Sequence, residues 1–206
     1  MGERGSVTPP RSGYHEVRRG ESLYSIAWQY GQDWRELARR NGIRDPYIIR
    51  PGDRVYLTGA TRSTASSGTP SRPAGAPSTT TSSMNWTWPV QGEVIKGFAA
   101  SGVGLNKGLD IRAPAGTPLQ ASAAGEVVYA GSGLRGFGQL VIVKHDEVWL
   151  SAYAHNAPNL VSEGQRVRSG ERLAVLDGAS ERQRVVHFES RRRGTPIDPA
   201  GVLPRR

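Results

Sequence analysis

Three histidines and one aspartate in the C-terminal half of this 206-residue chain are candidates to bind a metal or move a proton: His145, His155, His187 and Asp110. Imidazole and carboxylate are the donors of hydrolytic zinc, which takes three protein ligands and keeps one position open for water. Water held there becomes a nucleophile near neutral pH, while the metal polarises the carbonyl under attack. A site built from His145, His155 and His187 with Asp110 is one way to assemble that chemistry. His145 ends an apolar run and is expected to point elsewhere. The bland alternative is that His155 and His187 are packed, hydrogen-bonded histidines with no catalytic duty. The chain has no cysteine, which removes disulfides, thiol catalysis and thiolate metal sites.

The elements that must position these residues are short and β-rich. Residues 125–130, 140–144, 148–153 and 172–176 are runs of β-branched, aromatic and aliphatic residues punctuated by Gly, Pro, Asn and Asp. No long helical period interrupts them. An all-β domain of antiparallel strands over residues 84–206 is expected.

Residues 13–58 read differently. A strand at Tyr14–Val17 precedes a helix capped by Ser22, with Leu23, Ile26, Ala27 and Tyr30 at helical spacing and Gly31 as its stop. Asp33 can cap a second helix carrying Trp34, Leu37 and Ala38, ended by Asn41-Gly42. A turn at Arg50–Asp53 leads to a strand at Arg54–Leu57. The order is βααβ, a small α+β module. Residues 59–83 contain only Gly, Ala, Ser, Thr, Pro and Arg. They read as a flexible linker whose ends lie roughly 25–30 Å apart, so the flanking domains are expected to move independently. Residues 1–12 read as a disordered segment.

Net charge is +9, spread over the chain, with its densest run at Arg191-Arg192-Arg193. A basic surface suits acidic polymers, but no nucleic-acid motif is visible. No apolar run approaches the roughly 18–20 residues of a transmembrane helix, and the first residues lack a signal-peptide apolar region.

The N-terminal module resembles the LysM family. The residues that carry this are 17–27, VRRGESLYSIA; 37–43, LARRNGI; and 49–57, IRPGDRVYL. The resemblance implies binding of N-acetylglucosamine-containing glycan, chiefly peptidoglycan. The implied contacts are Gly20, Glu21, Ser22 and Leu23 on one side of a groove and Asn41, Gly42, Ile43, Pro46 and Ile48 on the other. For the glycines ordinary turn chemistry is an equally good reading, and for Leu23 a core position is the better one.

The C-terminal domain resembles the LytM-type (M23) zinc endopeptidases. The match runs through Trp88-Pro89-Val90, Lys107–Ile111, Pro114–Pro118, Gly125–Gly131, Gly138–His145, Tyr153–Asn156, Val161–Val167 and His187-Phe188-Glu189. The resemblance implies zinc ligands at the positions of Asn106, Asp110 and His187, and catalytic histidines at those of His155 and Val185. Two of these five positions have lost their histidine. A neutral amide at 106 is a weak donor, and Val185 can neither accept a proton nor stabilise an oxyanion. Even losses in the outer shell of a metal site cost about 10–100-fold in affinity. No bound metal or other cofactor is expected, and no catalysis.

A LysM module joined to a LytM domain without its zinc site resembles the NlpD-like division regulators. The segment 131–138 followed by Ser151–Asn156 adds to that likeness. It implies a noncatalytic activator of periplasmic N-acetylmuramoyl-L-alanine amidase. The vacated groove around Asn106, Lys107, Asp110, His155, Val185 and His187 would bind the amidase. Alternatives are an M23 zinc endopeptidase with an unusual site, or a pure wall-binding scaffold. Peptidoglycan lies outside the cytoplasm. The implied location is the periplasm, with outer-membrane anchoring through a lipid these residues do not carry.

Overall fold

A computed structural model describes residue 10 and residues 13–58, 84–102, 104–134 and 137–205. The expected linker at 59–83, almost all of the expected disordered segment at 1–12, and Arg135-Gly136 within the 131–138 segment lie outside the described residues.

The N-terminal module is βααβ: β1 (Tyr14–Glu16), α1 (Leu23–Tyr30), α2 (Trp34–Asn41) and β2 (Arg54–Tyr56). β1 and β2 pair antiparallel, with His15 opposite Val55. The caps fall where the sequence places them. Ser22 accepts from the Ser25 amide while Ser25 Oγ accepts from the Ser22 amide, a reciprocal box that ties down two of the helix's free donors. Asp33 accepts from the amides of Arg35 and Glu36. Leu23, Ile26, Ala27, Leu37 and Val55 form the module's interior.

The rest of the chain is antiparallel β-sheet. Its strands are β3 (Glu93–Lys96), β4 (Leu109–Arg112), β5 (Thr117–Gln120), β6 (Gly125–Gly131), β7 (Gln139–Lys144) and β8 (Trp149–His155). They continue with β9 (Arg166–Val167), β10 (Arg172–Leu176), β11 (Val185–Arg192) and β12 (Thr195–Ile197). The large sheet has the order β3-β4-β11-β8-β7-β6-β9, with β12 on β11, and β5 pairs with β10 separately. One face of the large sheet presents Val127, Val141, Val143, Tyr153, Val186 and Phe188 to a core that includes Leu119, Leu173 and Leu176 of the small sheet.

The other face is where the structure departs from expectation. The sequence predicts two domains that move independently. Instead, Tyr129, Leu140, Ile142, Leu150, Ala152 and Ala154 share one hydrophobic cluster with the LysM-like module. Trp28 of α1 meets Phe137 edge-on with centroids 4.5 Å apart. The Arg191 guanidinium stacks 4.7 Å over the Trp28 ring and donates to its carbonyl at 2.6 Å. Ser22 Oγ donates to Val128 O at 3.0 Å, and Arg35 Nε donates to Glu147 at 2.9 Å. Both faces of β7 are therefore covered, which explains why Leu140–Val143 is continuously apolar instead of alternating.

Candidate functional site

β4 and β11 run side by side with Asp110 opposite His187. Their close approach depends on Gly108, where a Cβ would stand 2.0 Å from the Phe188 carbonyl oxygen. Side chains on a strand alternate between faces, so Val185, His187, Glu189 and Arg191 share one face of β11. His187 faces Ala154 of β8, which belongs to the cluster beneath the LysM-like module.

These residues form a continuous polar chain. Asp110 Oδ1 lies 2.6 Å from His187 Nδ1, and His187 Nε2 lies 3.0 Å from Glu189 Oε1. Arg191 Nε then donates to Glu189 Oε2 at 2.8 Å and Arg191 Nη1 reaches the Trp28 carbonyl. His187, Glu189 and Arg191 are each at most 3% exposed. With a carboxylate at each ring nitrogen, the surroundings of His187 favour the protonated ring. Burial opposes that charge, but hydrogen bonds to Asp110 and Glu189 outweigh it and raise the pKa. Burial likewise opposes the Glu189 carboxylate, and Arg191 and His187 outweigh it and lower its pKa.

Of the three positions the resemblance gives to zinc ligands, two carry metal-binding side chains, Asp110 and His187, and the third carries the neutral amide of Asn106. Asp110 stands at one ring nitrogen of His187 and Glu189 at the other. Asn106 is 5% exposed and donates its amide nitrogen to the carbonyls of Gly97 at 3.0 Å and Lys96 at 3.4 Å. It clips the segment beside β3 and is bridged to Ala99. Among the described residues no group of three or more His, Asp or Glu side chains is placed to hold a metal ion. Val185 is buried opposite Arg112. Lys107 is half-buried; burial, then the nearby Arg191 charge, pushes its pKa down.

The other two histidines of the β domain make no hydrogen bond into this chain. His155 ends β8 opposite Gln139, is 1% exposed, and is pushed down to about 4 by burial. His145 follows β7 as expected. It contacts Ala124 O and Ser151 Oγ, stacks on Trp86, and burial depresses it to about 4 as well. Sequence reasoning missed Glu189, Arg191 and Trp28 as site residues. The period-2 spacing from His187 could have found the first two. Trp28 lies off the 23-26-27-30 stripe, a signal that its helix has a second buried side.

In the N-terminal module, Glu21 and Ser22 face Pro46 and Ile48 across a cleft of about 260 Å³, closed on its third side by Glu126 and Glu163 of the β domain. Ile48 is 69% exposed, free to meet a ligand. Leu23 is fully buried, a core residue as one of its two readings held. Asn41 is spent on structure: its side chain bonds the backbone of Leu37 and Tyr56. Gly20 and Gly42 occupy left-handed turn positions, and Ile43 packs at the edge of the shared cluster.

Comparison with known proteins agrees with both halves. The LysM domain model matches residues 15–58 and the model for peptidase family M23 matches residues 104–199. Across 97% of the chain there is 42% identity to the lipoprotein NlpD/LppB homolog of Pseudomonas aeruginosa, covering 80% of that protein. The chain belongs to the NlpD family. The Escherichia coli K12 lipoprotein YgeR is 39% identical over 98% of the chain and 86% of its own length. The murein hydrolase activator NlpD of Salmonella typhimurium is 32% identical over 93% of the chain and 68% of its own length. These NlpD-family relatives carry the names of lipoproteins and activators rather than of hydrolases. Among solved structures, a peptidase M23 from Pseudomonas aeruginosa matches at 29% identity and a TM-score of 0.50, over 59% of this chain and 51% of that one. Csd3 of Helicobacter pylori shares the fold at a TM-score of 0.52, over 60% of this chain and 34% of its own, with 22% identity. No helix among the described residues is long and apolar enough to cross a membrane.

Proposed function

We propose that this NlpD-family protein is a noncatalytic activator of a periplasmic N-acetylmuramoyl-L-alanine amidase, held on peptidoglycan by its LysM module. The observation that carries the reading is the commitment of the would-be metal ligands. His187 gives both ring nitrogens to carboxylates, and Asn106 gives its amide to backbone carbonyls. Without an activated water or an electrophilic metal, amide hydrolysis lacks both nucleophile and Lewis acid. What remains is a sheet face that carries a polar chain of acidic and basic side chains, chemistry suited to binding. Names of relatives as murein hydrolase activators support the same direction. The groove of Asn106, Lys107, Asp110, His155, Val185 and His187 would receive the amidase. The cleft of Glu21, Ser22, Pro46 and Ile48 would take the acetamido sugar. Lipoprotein names among the relatives support an outer-membrane-anchored, periplasmic location.

The test is release of dye from labelled sacculi by a purified amidase with and without the full chain, with zinc measured on the same sample. Stimulation by the chain, and no release by the chain alone, is expected. Release by the chain alone, with stoichiometric zinc and loss of both in Asp110→Ala, would establish an endopeptidase instead. Sacculus binding without any effect on amidases would leave only a wall-binding scaffold.

A further inference from the structure

The LysM module sits on the same face of the large sheet as the vacated metal site. On β11, His187, Glu189 and Arg191 share that face with Ala154, Ala152 and Leu150 of β8, which stand directly opposite them. α1 lies over this surface, and the polar chain that begins at Asp110 ends on the Trp28 carbonyl. We propose that the LysM module is a removable cover which, docked as here, shields this face from the amidase, and that engagement of glycan by LysM favours its release. The proposal rests on the activator reading above.

Three observations make the cover removable. Ser22 lines the glycan cleft and also donates to Val128 O, so a sugar that takes the Ser22 hydroxyl competes with docking. The Trp28 indole N–H and the Gln29 amide oxygen are buried with no protein partner in the docked state, and undocking would let water satisfy them. The Arg35–Glu147 ion pair at the rim is exposed, where such pairs contribute little. Against these stand the Trp28–Phe137 and Trp28–Arg191 contacts and the apolar patch of Leu140, Ile142, Leu150, Ala152 and Ala154. A surface of that kind is rarely left bare on a soluble monomer, so release is favoured when an apolar amidase segment replaces the module. The 25 residues at 59–83 keep the released module tethered.

The chain has no cysteine, so introduced thiols are unique. In full-length Arg35→Cys/Glu147→Cys, a short thiol-cleavable bismaleimide locks the module down. Gly194→Asn does the opposite. A Cβ at Gly194 lands 2.4 Å from the Gln32 backbone, and Asn tolerates the left-handed turn that Gly194 occupies. Docking itself is read by the maleimide reactivity of Ala152→Cys, with and without Gly194→Asn. If about nine molecules in ten are docked, the apparent amidase affinity is lowered about tenfold and undocking restores it. The locked chain is therefore expected to stimulate amidase poorly and to recover on cleavage. Gly194→Asn should stimulate more than the parent and speed Ala152→Cys labelling, as should added peptidoglycan fragments. Equal stimulation by locked and cleaved chains would overturn the cover, as would labelling indifferent to Gly194→Asn. Labelling that responds as expected, with no stimulation by any form, would sustain the shielding while sinking the activator reading.

Discussion

His187 is the residue on which the chemistry turns. An imidazole flanked by Asp110 and Glu189 has its pKa raised by both carboxylates against the opposing effect of burial. Glu189 is in turn the middle of the chain, with His187 on one side and the Arg191 guanidinium on the other, while 1% exposed. Replacing it by Gln leaves Arg191 buried without a counter-charge. Glu189→Gln is expected to cost about 3–5 kcal/mol, the range for breaking a buried ion pair, seen as a fall in the urea midpoint. Asp110→Asn should cost less, because its side chain is 15% exposed.

The buried histidines make stability depend on pH with opposing signs. His145 and His155 are both depressed to about 4. Their unfolded forms bind protons first, so their contribution is full above pH 6.5 and is lost as pH falls toward 4. His187 is raised; its contribution is full below the ordinary histidine pKa and is lost as pH rises through the raised value. Two depressed groups outweigh one raised group between pH 7 and 5, and a net loss on the order of 2–3 kcal/mol is expected by linkage. Denaturation at the two pH values measures it, and His155→Gln should flatten the dependence.

At the scale of elements, local sequence decides most. Ser22, Asp33, Gly31 and Gly42 begin and end the two helices where their capping chemistry dictates. Ser22→Ala removes a cap worth about 1 kcal/mol together with the bond to Val128, and should lower the melting temperature of the full chain. The β4–β11 contact is less forgiving. Gly108→Ala places a methyl 2.0 Å from the Phe188 carbonyl oxygen. The two strands that carry Asp110 and His187 must then separate, and a loss above about 3 kcal/mol is expected from the broken ladder and displaced core, measured by denaturant unfolding.

At the scale of the whole molecule, the two modules are joined across a surface that mixes aromatic stacking, an apolar sheet face and buried charge. Phe137→Ala combined with Gly194→Asn removes one side of the Trp28 contact and wedges the other. The radius of gyration from small-angle scattering should rise as the LysM module leaves the sheet. An unchanged value would mean that the remaining contacts suffice to hold it.

The βααβ order and the antiparallel β domain were both legible in the sequence. Each is a local property: caps, strand periodicity and residue identity act within a few positions along the chain. The low-complexity run at 59–83 pointed to independent domains, because composition reports what a segment cannot bury and says nothing of what its neighbours do. Leu140–Val143 and the off-stripe Trp28 were the traces of a second covered face, but an apolar residue does not name its partner. Only the tertiary structure brings Arg191 to Trp28 across 163 positions and sets a carboxylate at each nitrogen of His187. Contacts so distant in sequence are fixed by strand order and packing, and these decide that Asp110, His187, Glu189 and Arg191 form one polar chain whose far end meets the LysM module.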